Sequence, residues 1–182
     1  MQTRPTVEVQ NIVSSVDLGI DLDLVELESL LDNAEYNPDS FPALIVKLKE
    51  PKVSFLVFRN GKLNCTGAKS VEMARNGVDE LVKNLKKVGV EVPGKPEVVV
   101  TNVVATVDLG VTLNLDEIAL NVENIEYEPE QFPGLVYRTY GSNISVLIFG
   151  TGKLVIAGMR HESDAVAILD GLMERLEGLG MM

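Results

Sequence analysis

The run Ser54-Phe55-Leu56-Val57-Phe58-Arg59-Asn60-Gly61-Lys62-Leu63 decides the fold, because it returns as Ser145-Val146-Leu147-Ile148-Phe149-Gly150-Thr151-Gly152-Lys153-Leu154. Side chains alternate along a strand, so the two copies compare face by face. One face carries Val53, Phe55 and Val57, which become Ile144, Val146 and Ile148. Those exchanges preserve only apolar character, as a core packed against helices requires. The other face carries Ser54, Leu56 and Phe58 and returns unchanged as Ser145, Leu147 and Phe149. Asn60-Gly61 reads as a two-residue hairpin turn, a geometry in which both turn positions have positive φ.

Outward from this run the repetition extends over almost the whole chain. Residues 7–90 lie over 98–181 without a gap, Asn11 falling on Asn102, and about a third of the paired positions are identical. Asn11-Ile12-Val13 meets Asn102-Val103-Val104, Val16-Asp17-Leu18-Gly19 meets Val107-Asp108-Leu109-Gly110, and Glu35-Tyr36-Asn37-Pro38 meets Glu126-Tyr127-Glu128-Pro129. The joint contains Pro93-Gly94-Lys95-Pro96, a turn or short linker. Two domains are expected, 1–90 and 91–182. In each copy the pattern predicts a strand (7–13), a short amphipathic helix (22–31), three strands (44–49, 53–58, 62–66) and a long closing helix. In that helix Val71, Ala74, Val78, Leu81, Val82, Leu85 and Val88 recur at helical spacing, with Ser70 as N-cap and Gly89 as stop. Leu169, Leu172, Leu176 and Leu179 repeat the stripe, and Gly180 takes the place of Gly89. Hairpin-connected strands with helices on one side make an α+β layer, and two such layers could continue as one antiparallel sheet.

That arrangement leaves each sheet with a second apolar face. Val9, Asn11 and Val13, answered by Val100, Asn102 and Val104, belong to it, as do the matched pairs Phe41 with Phe132 and Phe58 with Phe149. Either these residues pack in a second core or they meet a partner. The charges favour a partner. The chain of 182 residues carries a net charge of −11, which on its face opposes nucleic-acid binding. From Glu91 onward the only cations are Lys95, Arg138, Lys153, Arg160 and Arg175, far outnumbered by acids. Yet Arg138, Lys153 and Arg160 stand where the first copy has Lys47, Lys62 and Lys69. Cations retained at duplicated positions beside an apolar face suit an anion such as a phosphate backbone.

Other classes find little support. No stretch approaches the roughly 20 apolar residues of a membrane span, and the N-terminus lacks the apolar segment of a secretory signal. Cys65 and His161, one of each, build neither an internal disulfide nor a metal site. Gly150-Thr151-Gly152-Lys153 lacks the spacing of a phosphate loop, and there is no Ser/His/Asp set. Neither catalysis nor a cofactor is expected.

The same residues carry a family resemblance. Val9-Gln10-Asn11-Ile12-Val13, Glu50-Pro51-Lys52, Leu56-Val57-Phe58, Gly61-Lys62 and Thr66-Gly67-Ala68-Lys69-Ser70 in the first copy, with the run from Tyr127 through Phe132-Pro133-Gly134 to Arg138 and Leu147-Ile148-Phe149 in the second, resemble the TATA-box-binding protein family, archaeal type. The resemblance implies a pseudo-two-fold saddle with a curved antiparallel sheet, helices on its convex face, and a concave face laid on the minor groove of promoter DNA. Phe41 with Phe58, and Phe132 with Phe149, would intercalate at the ends of the site. Asn11, Val13, Leu56, Thr66, Asn102, Val104, Leu147 and Val155 would contact bases. Lys47, Lys62, Lys69, Arg138, Lys153 and Arg160 would hold phosphates. Glu128 and Glu130 would meet transcription factor B, with RNA polymerase recruited indirectly. A cytoplasmic, nucleoid-associated location is implied, nuclear if the source is eukaryotic. A homodimer through the same face in the absence of DNA is also compatible, and the alternative function is a protein-interaction or apolar-ligand platform. The chain departs from the family pattern at Asn64, Ala157, Met159 and Gly141-Ser142-Asn143, which implies unequal half-sites.

Overall fold

The computed structural model describes residues 4–182. Ten strands and four helices occur in the order β1 (Val7–Asp17), α1 (Leu24–Leu30), β2 (Ala34–Glu35), β3 (Leu44–Lys47), β4 (Ser54–Val57), β5 (Lys62–Ala68), α2 (Val71–Lys87), then β6 (Val99–Asp108), α3 (Leu115–Asn121), β7 (Ile125–Glu126), β8 (Leu135–Arg138), β9 (Ser145–Ile148), β10 (Lys153–Met159) and α4 (Glu162–Gly178). The second seven elements repeat the first seven in type and order. By compactness the chain divides into Asn11–Thr101 and a second unit that joins Asn102–Met182 with the residues up to Gln10.

In the first repeat the strands run β2-β3-β4-β5-β1, and in the second β6-β10-β9-β8-β7, all neighbours antiparallel. The inner face of the first repeat is Ile12, Val16, Leu44, Val46, Phe55, Val57, Leu63 and Cys65, all buried. Helix α2 covers it with Ala74, Val78, Leu81 and Leu85. The approach is close: a Cβ added at Gly77 would come within 2.7 Å of Val53 Cγ2 and 3.4 Å of Phe55 Cζ. Ala165, Leu169, Leu172 and Leu176 of α4 are buried in the second repeat, where Val146, Ile148, Leu154 and Ile156 are fully buried too. Burial pushes the Cys65 thiol up to about 11, with the Ser14 hydroxyl drawing it partly back, so this cysteine is an inert core residue.

Caps fall where the residue types place them. Ser70 accepts from the Met73 N–H at 3.0 Å. After Gly89, at φ 90°, the Val90 N–H reaches the Leu85 carbonyl and the Gly89 N–H the Lys86 carbonyl, closing α2 with a left-handed residue. Gly180 at φ 70° ends α4 through Met181 to Leu176 and Gly180 to Glu177.

Two expectations are corrected, and two strands are added. The 58–62 turn is not a two-residue loop with two positive φ angles: only Gly61, at φ 79°, is left-handed. The Gly61 N–H donates to the Phe58 carbonyl and the Phe58 N–H to the Lys62 carbonyl, which makes a three-residue loop closed by a glycine bulge. Gly152, at φ 83°, does the same between Phe149 and Lys153. The first strand runs on to Asp17, because Ser14, Ser15, Val16 and Asp17 pair with Cys65, Asn64, Leu63 and Lys62. Finally, the two-residue strands β2 and β7 escape a reading by periodicity, being too short to show one.

Candidate nucleic-acid interface

The second sheet face is built by register. In the first repeat Ile45, Leu56, Asn64 and Ser15 stand in one cross-strand row, followed by Lys47, Ser54 and Thr66 in the next. In the second repeat the corresponding rows are Val136, Leu147, Val155 and Thr106, then Arg138, Ser145 and Ala157. Apart from the exposed Lys47 and Arg138, all of these are half-buried, touching their lateral neighbours without being sealed. Ile45, Val136, Ser15 and Thr106 belong to this face and were missed in the sequence. Their signal was the register itself, which sets Ile45 and Val136 opposite Leu56 and Leu147, and Ser15 and Thr106 opposite Asn64 and Val155. Gln10 donates to Thr106 Oγ1 at 2.9 Å.

Asn11 and Asn102 owe their orientation to a bulge. Between Ile12 and Ser14 of β1, strand β5 carries an extra residue, and the Gly67 N–H is thereby turned onto Asn11 Oδ1 at 2.7 Å. The Gly158 N–H reaches Asn102 Oδ1 at 2.9 Å from the equivalent bulge of β10. Since a backbone N–H only donates, each amide oxygen is committed inward, which leaves Nδ2 as the group each asparagine presents. Thr66 Oγ1 lies 3.2 Å from Asn11 Nδ2, whereas Ala157 offers Asn102 no hydroxyl.

The phenylalanines meet in pairs. Phe41 and Phe58 stack edge to face with centroids 6.3 Å apart, and Phe132 and Phe149 do so at 5.9 Å. Phe41 is 43% exposed and Phe132 40%, so the helices do not enclose them. Each outer ring is carried on a tight turn, its N–H bonded to the Asn37 or Glu128 carbonyl. Gly134 seats the second pair: a Cβ there would come within 2.7 Å of Phe132 and 3.0 Å of Phe149, and the first repeat has Ala43 instead. Val13 and Val104 are half-buried on the same faces.

Lys47, Lys62, Lys69, Arg138, Lys153 and Arg160 are all exposed. Among the described residues Arg138 is the one of the six held in an ion pair, its Nε 3.0 Å from Glu126 Oε1, with Nη2 at 3.3 Å from Oε2. The pairing holds the Glu126 carboxyl below its usual range and raises the Arg138 guanidinium. Glu128 and Glu130 are exposed between β7 and β8. Among the described residues no three metal-type side chains cluster, and no helix is long and apolar enough to cross a membrane.

The family described as transcription factor TFIID (or TATA-binding protein, TBP) matches residues 6–88 and again 97–179. The chain is 49% identical to the TATA-box-binding protein of Methanocaldococcus jannaschii over 174 residues, covering 96% of this chain and 95% of that one. It is equally 49% identical to the TATA-box-binding protein of Archaeoglobus fulgidus over 178 residues, with 97% of each covered. Among solved structures, Methanococcus jannaschii TBP superimposes with a TM-score of 0.89 at 48% identity, over 96% of this chain and 99% of that one.

Proposed function

This chain belongs to the TATA-box-binding protein family, one of DNA-binding transcription factors and not of enzymes, and we propose that it grips TATA-like promoter DNA in the minor groove, kinks it with its phenylalanines and recruits transcription factor B. The observation that carries this reading is the edge-to-face phenylalanine pair of each repeat, whose outer rings, Phe41 and Phe132, are exposed on the face the helices leave open and whose inner rings, Phe58 and Phe149, are half-buried.

The chemistry follows residue by residue. The minor groove offers acceptors at A·T and T·A pairs and adds an amino donor at G·C. Asn11 and Asn102, their oxygens already engaged by glycine N–H groups, present donors to those acceptors. Val13, Leu56 and Thr66, with Val104, Leu147 and Val155, line the groove floor, and the apolar ones leave a guanine amino group no acceptor. Each phenylalanine pair acts as a wedge that unstacks one base step. Such unstacking costs a few kcal/mol and is offset by the protein surface that bent DNA wraps, a general account of minor-groove wedging for which this family itself is a standing example. Flexible pyrimidine–purine steps lower that cost, so part of the preference is for deformability. Lys47, Lys62, Lys69, Lys153 and Arg160 position the backbone, and Arg138 joins them once it exchanges Glu126 for a phosphate. Glu128 and Glu130, exposed on an acidic repeat, are offered to a basic surface of transcription factor B, through which polymerase is recruited.

Phe149→Ala tests the wedge. In a gel-shift and bend-angle measurement on a TATA-containing duplex, the wild type is expected to bend the DNA and the variant to bind more weakly with a smaller bend. An unchanged bend removes the wedge assignment. Absence of any wild-type complex removes the DNA reading and leaves the open face to a protein or apolar ligand.

A further inference from the structure

The two open faces differ at a chemically decisive position. Asn64 on β5 holds the place that Val155 holds on β10, each half-buried and each paired in register with a leucine, Leu56 or Leu147. Asn64 is unlike the other face asparagines. Asn11 and Asn102 have their oxygens fixed by glycine N–H groups and so only donate. Among the described residues, nothing in its own repeat hydrogen-bonds the Asn64 side chain, so its amide is free to turn either Oδ1 or Nδ2 outward.

We propose that Asn64 is a specificity-determining residue that admits a G·C pair in the half-site under the first repeat, while Val155 excludes one from the half-site under the second. The inference rests on the DNA reading above. A guanine amino group pressed against the Val155 methyls is buried as a donor without an acceptor, a penalty of about ten- to hundredfold in affinity. Against Asn64 the same amino group meets Oδ1. At an A·T pair the amide reverses and Nδ2 donates to adenine N3 or thymine O2. One amide therefore serves every base pair, whereas an isopropyl group serves only those lacking the amino group. Unequal reading gives direction: a promoter element with a G·C pair in one half fixes which way round the protein sits.

Three labelled duplexes test this by fluorescence anisotropy: a symmetric all-A·T site, the same site with one G·C pair, and the site with that pair mirrored in both halves, scanned along its length. Wild type, N64V and V155N are each compared with their own affinity for the all-A·T duplex, which cancels any loss of folded protein. At one position the wild type is expected to bind the single substitution within about threefold of the A·T site, since it can orient its first repeat there, and the mirrored one at least about tenfold more weakly. N64V is expected to lose tolerance of the single substitution and V155N to gain tolerance of the double. Equal sensitivity of wild type and N64V to the single substitution, or single and double penalties that rise in step at every position, overturns the proposal. Failure of the wild type to bind even the all-A·T duplex overturns the DNA reading beneath it instead.

Discussion

Ser14 and Cys65 are opposite one another on β1 and β5, inside the core of the first repeat. The second repeat has Ala105 and Ile156 there, in the same register, and all four residues are fully buried. Among the described residues the Ser14 hydroxyl makes no hydrogen bond of good geometry, its approach to the Cys65 thiol being the weak contact that draws that thiol partly back. A buried hydroxyl left unsatisfied costs about 1–3 kcal/mol, and removing it leaves only a methyl-sized side chain that Ala105 shows the fold accepts. Ser14→Ala is therefore expected to stabilise the protein by about 1 kcal/mol, seen as a higher urea midpoint at unchanged m-value. A lower midpoint would mean that the hydroxyl's approach to the thiol is worth more than its desolvation. At this scale the sequence was only partly informative. Duplication marked Asn11 and Asn102 as matched face residues, but that they donate and do not accept depends on an N–H that a bulge swings into place, and no spacing rule reveals a bulge.

Each long hairpin is docked as well as folded. The Gly61 carbonyl accepts from the Leu18 N–H and the Arg59 carbonyl from Leu22, and in the second repeat Gly152 and Gly150 serve Leu109 and Leu113. A Cβ added at Gly152 would overlap the Val111 carbonyl oxygen, on a backbone already at φ 83°. Gly152→Ala is thus expected to destabilise by about 2–4 kcal/mol, beyond the strain of a left-handed alanine alone. Gly150→Ala, whose added Cβ would meet only the Leu113 oxygen at 3.6 Å, is expected to stay within about 0.5 kcal/mol of wild type. Chemical denaturation of the two variants side by side checks this, and equal losses would remove the docking argument. Element type and order were legible because periodicities of 3.6 and 2 are strong over α2, α4 and the longer strands. The turn was misread because Asn-Gly alone does not specify loop length; what the Ile20 and Val111 carbonyls leave no room for is a Cβ at Gly61 or Gly152. Strands β2 and β7 exist by pairing with β3 and β8, and pairing is not written in two residues.

For the molecule as a whole, the opposition between a charge of −11 and a DNA-binding role is resolved if the matched cations engage phosphates. Six exposed cations stand at matched positions of the two repeats, and counterion release depends on how many phosphates they neutralise and not on net charge. If the five cations other than the ion-paired Arg138 engage, log affinity should fall against log salt with a slope of about −4.5. A flat or rising dependence would instead point to adaptation to high salt. Arg138 makes the count testable, because among the described residues it alone of the six is tied to a carboxylate. Glu126→Gln frees it, and is expected to strengthen binding at low salt and to steepen the slope by up to about 0.9. Glu35→Gln alters the matching position of the first repeat, where Lys47 has no such partner among the described residues, and so controls for loss of one negative charge in general. A specific gain for Glu126→Gln over Glu35→Gln in salt-titrated binding would assign the ion pair a function: it tempers the second repeat's hold on phosphate. Equal gains would reduce Glu126 to one more exposed acid that does not hold Arg138 back.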